Sequence, residues 1–359
     1  MARRPLRVAI VGAGIGGLGA ANALLQRGID VEVFEQAPVL KEVGAGLTLH
    51  PNGVRMLRRL GLGDKLRTAG ARWIDAQFRR SDGTLIAPWW PAGSTRAIEI
   101  YGVHRADFLQ LLLDGIPPAL VHPGHRCVDI GERGDQAVAW FDNGERVEAD
   151  VIVGADGIHS VVQQYVTTPP PARPSGSVAY RGVIRASSVG WAPGAMRNWL
   201  GPGKHFLVFP VRANELVNYV GFVPGDKLTA ESWSANGDPA ALAREFRGWD
   251  PLVEAIIGQV SATFWWGLYD REPLQRWTRG RVTLLGDAAH PMLPHVGQGA
   301  NQALEDAIVL ATALSGADSQ TGPELLKVYE RARRVRTTRV QLASRTNGVH
   351  YDAATGDLV

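Results

Sequence analysis

A single cysteine, Cys127, stands in 359 residues. An internal disulfide and a cysteine-built zinc site are therefore excluded. No apolar run approaches the roughly 20 residues that a membrane-spanning helix needs. The net charge is only +3, from 38 basic and 35 acidic residues, too small a surplus to argue for a nucleic-acid partner. Internal repeats and extended low-complexity tracts are missing, which sets aside solenoids and repeat arrays. The basic start, Met1 to Arg4, precedes an apolar run, but no small-residue cleavage site follows a compact apolar core. A cytoplasmic protein without resident metal is expected.

The remainder is ordinary in bulk and uneven in detail. Hydrophobic residues make up 45% and charged residues 20%, the usage of a folded globular chain. The length predicts about two domains at ~150 residues each. Glycine, with 42 residues, exceeds its usual share of about 7%, so tight turns and close backbone approaches are expected. Between Glu324 and Arg345 seven Lys or Arg face two acids. Leu325, Val328, Tyr329, Ala332, Val335 and Leu342 recur there at helical spacing, which predicts a packed C-terminal helix with a solvated basic face.

Along the chain, residues 6–35 read strand, Gly-rich turn, helix (15–26) and strand (31–34), with Gly28 stopping the helix. Helices are predicted over 52–60, 107–113, 238–246 and 299–314. Strands are predicted within 73–100 and 124–148, then over 150–154, within 178–222, and over 281–285. The Pro-rich stretch 168–174 reads as a linker. The fold class is α/β: a Rossmann-like domain interleaved with a β-sheet domain, plus C-terminal helices. The boundaries fall at 1–73, 101–174 and 275–322 for the first domain, 74–100 and 175–274 for the β-rich domain, and 323–346 for the terminal helix.

Three motifs carry chemistry. Gly12-Ala13-Gly14-Ile15-Gly16-Gly17 matches G-x-G-x-x-G between a buried strand and a helix, where a pyrophosphate meets the helix N-terminus. Glu35 follows at the end of the next strand, placed to accept from ribose hydroxyls, which favours FAD or NAD over NADP. The second motif runs from Asp150 through Gly154-Ala155-Asp156-Gly157 to Ser160. The third runs from Gly286-Asp287 through His290-Pro291 and Pro294-His295 to Gly299-Ala300-Asn301. Its small residues precede a helix whose free N–H groups suit a flavin ring that becomes anionic on reduction.

In this order and spacing the three motifs resemble the single-component FAD-dependent aromatic hydroxylases, the family of para-hydroxybenzoate hydroxylase. The likeness covers roughly residues 6–345. It is nearest to salicylate hydroxylases, 3-hydroxybenzoate 6-hydroxylases and 6-hydroxynicotinate monooxygenases, through Gly44-Ala45-Gly46, Pro51-Asn52, His104-Arg105, Tyr180-Arg181-Gly182 and Trp199 to His205. The resemblance implies tightly bound FAD, reduced by NADH or NADPH, and a flavin hydroperoxide formed with O2 that hydroxylates a small, salicylate-like phenolic or N-heteroaromatic acid. A single dinucleotide motif fits a nicotinamide that visits and leaves. Alternatives are a tailoring hydroxylase or epoxidase of a larger polyketide or terpenoid, and an FAD oxidase that needs no NAD(P)H. No nucleic acid or membrane is expected as a partner, and the chain is expected as a monomer or homodimer.

The resemblance and the motifs together place FAD at Gly12, Gly14, Gly16, Gly17, Glu35, Gln36, Arg105, Val128, Asp156, Asp287, Gly299 and Ala300. His205 matches a pocket histidine of the hydroxybenzoate and hydroxynicotinate enzymes and is expected to accept the phenol proton. Those enzymes carry a tyrosine where this chain has Phe209. The hydroxynicotinate enzymes carry a histidine where it has Thr48; His50, on the same strand face, is a partial substitute. Phe209 with Pro294-His295 is closer to the salicylate hydroxylases, with His295 as a second polar group over the flavin. Arg181 or Arg212 is expected to pair with a substrate carboxylate. Trp191, Trp199, Trp233, Trp265 and Trp266 are candidates for the pocket wall.

Overall fold

The computed structural model describes residues 6–40, 45–89, 98–225 and 236–352; Gly44 and Trp233 lie outside them. One sheet runs in the order Thr278–Arg279, Val282–Leu284, Val151–Gly154, Arg7–Val11, Asp30–Glu35, Val121–Pro123. All its pairings are parallel except the Thr278–Arg279 edge. Val8 to Val11 are at most 3% exposed, as a parallel strand covered on both faces must be. The crossover helix Ile15–Leu25 lies against the helix Gly299–Ala313. Gly19 permits this closeness: a Cβ there would already touch Leu304 at 3.3 Å and Ala307 at 3.5 Å.

The second sheet has eight strands, in the order Asn236–Gly237, Thr263–Asp270, Arg173–Arg185, Leu216–Pro224, Lys204–Val211, Ala195–Gly201, Asp75–Arg80, Leu85–Pro88. One face buries Trp199, Phe206, Tyr219 and Val208 against Leu242 and Phe246 and the helix Pro251–Ile257. The other face is turned toward the first domain. Register decides what that face presents. One row crosses the sheet as Leu200, His205, Phe222, Ala179 and Trp266; the next as Phe78, Asn198, Leu207, Val220 and Arg181.

Several segments differ from the sequence reading. The helices Gly63–Ala69, Val161–Val166 and Pro251–Ile257 are too short to show an apolar period. The helix expected from residue 107 already starts at Arg105. The strand Arg173–Arg185 begins inside the Pro-rich stretch, and its ladder is interrupted between Pro174 and Val178, where a missing N–H does no harm.

The terminal helix spans Gly322–Tyr351, longer than expected. Its buried stripe of Leu326, Tyr329, Arg333, Thr337, Gln341, Ser344 and Gly348 keeps helical spacing to the last turn. The basic face is not wholly solvated. Arg333 is 3% exposed and donates to Asp306 at 2.6 Å and Glu305 at 2.5 Å. A cation goes inside because two buried carboxylates of the helix Gly299–Ala313 are there to meet it. No helix among the described residues is long and apolar enough to cross a membrane.

Candidate active site

The three motifs pack on one another through absent side chains. Gly12 has φ +107°, and a Cβ there would meet the Ala155 carbonyl of the second motif at 2.4 Å. At Gly17 it would strike the Gly12 carbonyl at 1.9 Å, and at Gly16 it would press on Leu285, just ahead of the third motif, at 2.6 Å. Gly14 is different, because a Cβ there meets nothing within 4 Å. That space belongs to a cavity of about 330 Å³ lying between the motifs and the second sheet.

Two helices open their N-termini on this cavity, Ile15–Leu25 behind Gly14 and Gly299–Ala313 behind Gln298. Neither has a side-chain cap or an acidic residue in its first turn. Their free N–H groups and positive dipole ends are thus left for an anionic ligand. Arg105 and Asp287 also stand on the cavity wall. Asp287 keeps accessible surface and lines the cavity. Burial pushes its carboxyl up, while His290, Arg105 and Arg271 pull the other way. Two separate anion-binding helix ends, with a space left open at Gly14, fit FAD.

The third motif is clamped from behind. Asn301, fully buried, accepts from His50 N at 2.9 Å and donates to the Thr48 and Gly297 carbonyls at 3.0 and 2.8 Å. Asp306 accepts from Gly286 N at 3.1 Å and holds His290 Nε2 at 2.5 Å.

Of the residues singled out from sequence, Gly14, Gly16, Thr48, His50, Arg105, Arg181, His205, Phe209, Asp287, Pro294, His295, Gly299 and Ala300 line the cavity. Gly12, Gly17, Glu35, Gln36, Val128 and Asp156 do not. Glu35 accepts from Ala13 N and Ala37 N, both at 2.8 Å, bracing the glycine turn from outside. Its carbonyl receives His125 N at 2.8 Å, so a track continues from Ala13 over the strand ends. Val128 lies further on, an exposed apolar side chain. Asp156 points inward: it accepts from Ser160 Oγ at 2.5 Å and Val161 N at 2.8 Å and starts the helix Val161–Val166. Its neighbours Ala155, Gly157 and Ile158 are what reach the cavity.

The sheet floor is apolar with few polar groups. Arg181 lies with its guanidinium 4.8 Å from the Trp266 ring centre. Arg212 is elsewhere, bonded to Asp107 at 2.8 and 2.7 Å. Trp266 lines the cavity, but Trp191 and Trp199 belong to the opposite face of the sheet, and Trp265 stacks on Tyr180. The other tryptophans on the wall are Trp73 and Trp89. Among the described residues, Trp73 Nε1, Asn198 Oδ1 and His295 Nδ1 are buried at this wall without a hydrogen-bond partner in the protein.

Burial pushes His50 down to about 4 and His295 down to about 3. Both are neutral hydrogen-bonding groups near pH 7 rather than strong bases. Thr48 and His50 do share a side, both reaching toward the Cα of Gly297. His205, 2% exposed, stacks on Phe222 at 4.1 Å and lies 5.7 Å from His295. Its Nδ1 is 2.7 Å from Asp352 Oδ1. Tyr351 lines the cavity beside it.

The FAD binding domain family matches residues 5–344 of this chain. The chain belongs to the single-component FAD-dependent aromatic hydroxylases. Among its relatives in this hydroxylase family, the 3-amino-4-hydroxybenzoate 2-monooxygenase of Streptomyces cremeus is 41% identical, over 96% of this chain and 87% of its own. The 6-hydroxynicotinate 3-monooxygenase of Pseudomonas fluorescens is 35% identical, over 95% and 91%. The crystal structure of Klebsiella pneumoniae HpxO with FAD and uric acid superposes with a TM-score of 0.88 at 31% identity, covering 97% of this chain and 89% of that one.

Proposed function

We propose that this hydroxylase adds a hydroxyl group to a small phenolic or N-heteroaromatic acid, using NADH or NADPH and O2. The observation that carries the reading is the cavity between the motifs and the second sheet. It joins two uncapped helix N-termini, suited to FAD, to an apolar floor on which His205 and Arg181 stand. The activities named for the Streptomyces and Pseudomonas relatives, on a hydroxybenzoate and a hydroxynicotinate, support an aromatic acid as substrate.

FAD, when bound, would supply the redox chemistry that links a nicotinamide donor to O2. Gly14, Arg105, Asp287 and the backbone N–H groups of Gly299 and Ala300 would hold it. Arg181 offers the substrate carboxylate a positive charge that Trp266 holds in place from one side. Trp73, Phe209, Leu207, Val220 and Phe222 clamp the ring and exclude water. His205 Nε2 accepts the phenol proton, which makes the ring electron-rich at the moment of oxygen transfer. His295, neutral, offers a hydrogen bond near the same place.

The test is oxidation of NADH and of NADPH by the flavin-loaded protein across a panel of phenolic and pyridine acids, with peroxide measured in the same wells. Stimulated oxidation with little peroxide supports the reading. Oxidation of an amine or alcohol without NAD(P)H would replace it with an oxidase. His205→Ala is expected to keep FAD and lower product yield; wild-type yield and rate would remove His205 from the chemistry.

A further inference from the structure

The last turn of the terminal helix ends on the substrate side of the cavity. It gets there because Gly348 has no side chain: a Cβ would lie 2.7 Å from His295 Cδ2. Ser344 Oγ fixes the approach by donating to the Leu293 carbonyl at 2.5 Å. The chain then sets Tyr351 on the cavity wall and brings Asp352 Oδ1 to 2.7 Å from His205 Nδ1.

His205 is held by little else. Phe222 stacks on one face of its ring, and Tyr351 and His295 meet it at 5.3 and 5.7 Å between ring centres. From the strand beneath comes an aromatic carbocycle, from the 294–296 turn a neutral imidazole, and from the terminal helix a phenol. The charged group set against His205 is Asp352, whose side chain is 22% exposed where that of His205 is 2% exposed. A carboxylate bonded to Nδ1 takes the hydrogen there and leaves Nε2 with its lone pair.

We infer that Asp352 is a positioning residue for His205, fixing the ring and the tautomer that presents Nε2 to the substrate phenol. The inference rests on the reading of His205 as proton acceptor given above. The proton passes from the phenol oxygen to Nε2, leaving a phenolate, and the resulting imidazolium lies against the Asp352 carboxylate. Without Asp352 the neutral ring is divided between two tautomers and turns more freely, so a fraction of molecules offers the phenol an N–H instead of a lone pair. In other sites where a carboxylate orients a histidine its loss is costly in rate. A phenol gives up its proton far more readily than an aliphatic alcohol, so the loss here is smaller.

The experiment compares flavin-loaded wild type, Asp352→Ala, Asp352→Asn, Asp352→Glu and His205→Ala with a coupled substrate. It reads kcat, KM, the peroxide fraction, and the phenolate absorbance of bound substrate at neutral pH. The expected result for Asp352→Ala and Asp352→Asn is a kcat lower by about 10- to 100-fold, below the roughly 100- to 10,000-fold of a positioned base itself because His205 remains. KM should stay within about threefold and bound phenolate should fall, while Asp352→Glu recovers much of both signals. Full kcat and full phenolate in Asp352→Ala, with both lost in His205→Ala, would overturn the role of Asp352 and leave His205 as the base. A raised KM with unchanged kcat would overturn it too, making Asp352 a binding or purely structural group. Wild-type behaviour of His205→Ala would instead remove the reading on which the inference rests.

Discussion

The glycines of the first motif divide into those packed against protein and one, Gly14, that faces open cavity space, and substitution separates them. At Gly17 a methyl group would sit 1.9 Å from the Gly12 carbonyl oxygen. Backbone on both sides of that contact cannot step aside as a flexible side chain would. Overpacking of a rigid site costs typically about 1–3 kcal/mol, and this contact belongs at or above the upper end. At Gly14 the backbone is at φ −72°, ψ −176°, which any residue adopts, and the new methyl group meets no protein atom. Replacing glycine by alanine at a helix N-cap costs at most about 1 kcal/mol. Gly17→Ala should therefore lower the denaturant midpoint of the flavin-free protein markedly, whereas Gly14→Ala should lower it far less. The gain in stability on adding FAD is ordered the other way. Ligand at 100 times its Kd stabilises by about 2.7 kcal/mol, and Gly14→Ala should forfeit about 1.4 kcal/mol or more of this, the equivalent of a tenfold loss in affinity. The assay is urea unfolding with and without FAD, together with flavin titration by fluorescence. Wild-type FAD affinity in both Gly14→Ala and Gly14→Val would refute the placement of the cofactor at Gly14.

Asp287→Ala is expected to lose flavin on purification, read as the ratio of flavin to protein absorbance; a fully yellow variant would contradict its place in holding the cofactor. Asp306→Asn breaks a buried charge cluster and should cost about 3 kcal/mol at pH 7, measured by urea unfolding, as when one partner of a buried pair is removed. His290 and Arg333 hold Asp306 below the ordinary carboxylate range, against the opposing effect of burial. Its stabilisation is therefore full above the unfolded value of about 3.9 and is lost as pH falls through the lower folded value, so the variant should show a shallower acid limb. Gly348→Val should lower kcat several-fold at normal FAD content, because its side chain forces the terminal helix off His295; unchanged turnover would show that the helix end is not needed.

The nucleotide half of the cavity was legible in the sequence because backbone makes it. Glycines at fixed offsets, a buried strand before them and a helix after them are local patterns; the turn forms as they predict, with Gly14 and Gly16 on the cavity and Gly12 and Gly17 packed against backbone behind it. The substrate half is built by side chains from separate strands. Asn198, Leu207, Val220 and Arg181 become neighbours only through the register of four strands, which no short window of sequence states. Part of the signal was available: Leu207 and Phe209 follow His205 at steps of two and share its face. The tryptophans show the same limit from the other side. Trp265 and Trp266 are adjacent in sequence and on opposite faces of the sheet, and only pairing decides which one meets the cavity. Asp352 carried no signal, since its partner His205 is 147 residues away.

One helix ties these halves together. Tyr329 donates to the Leu284 carbonyl at 3.0 Å, just ahead of the Gly-Asp motif. One turn on, Arg333 grips Asp306, which accepts from the Gly286 N–H beside Asp287. Ser344 and Gly348 then rest on the 293–295 segment, and Asp352 meets His205. From Arg333 to Asp352 is 19 steps, about 28 Å at the rise of an α-helix. A strut of that length fixes the 286–295 wall of the cavity and His205 on its sheet side in one frame. Damage at its two ends should therefore be separable: near Arg333 it falls on stability and flavin retention, and near Asp352 on turnover with flavin still bound.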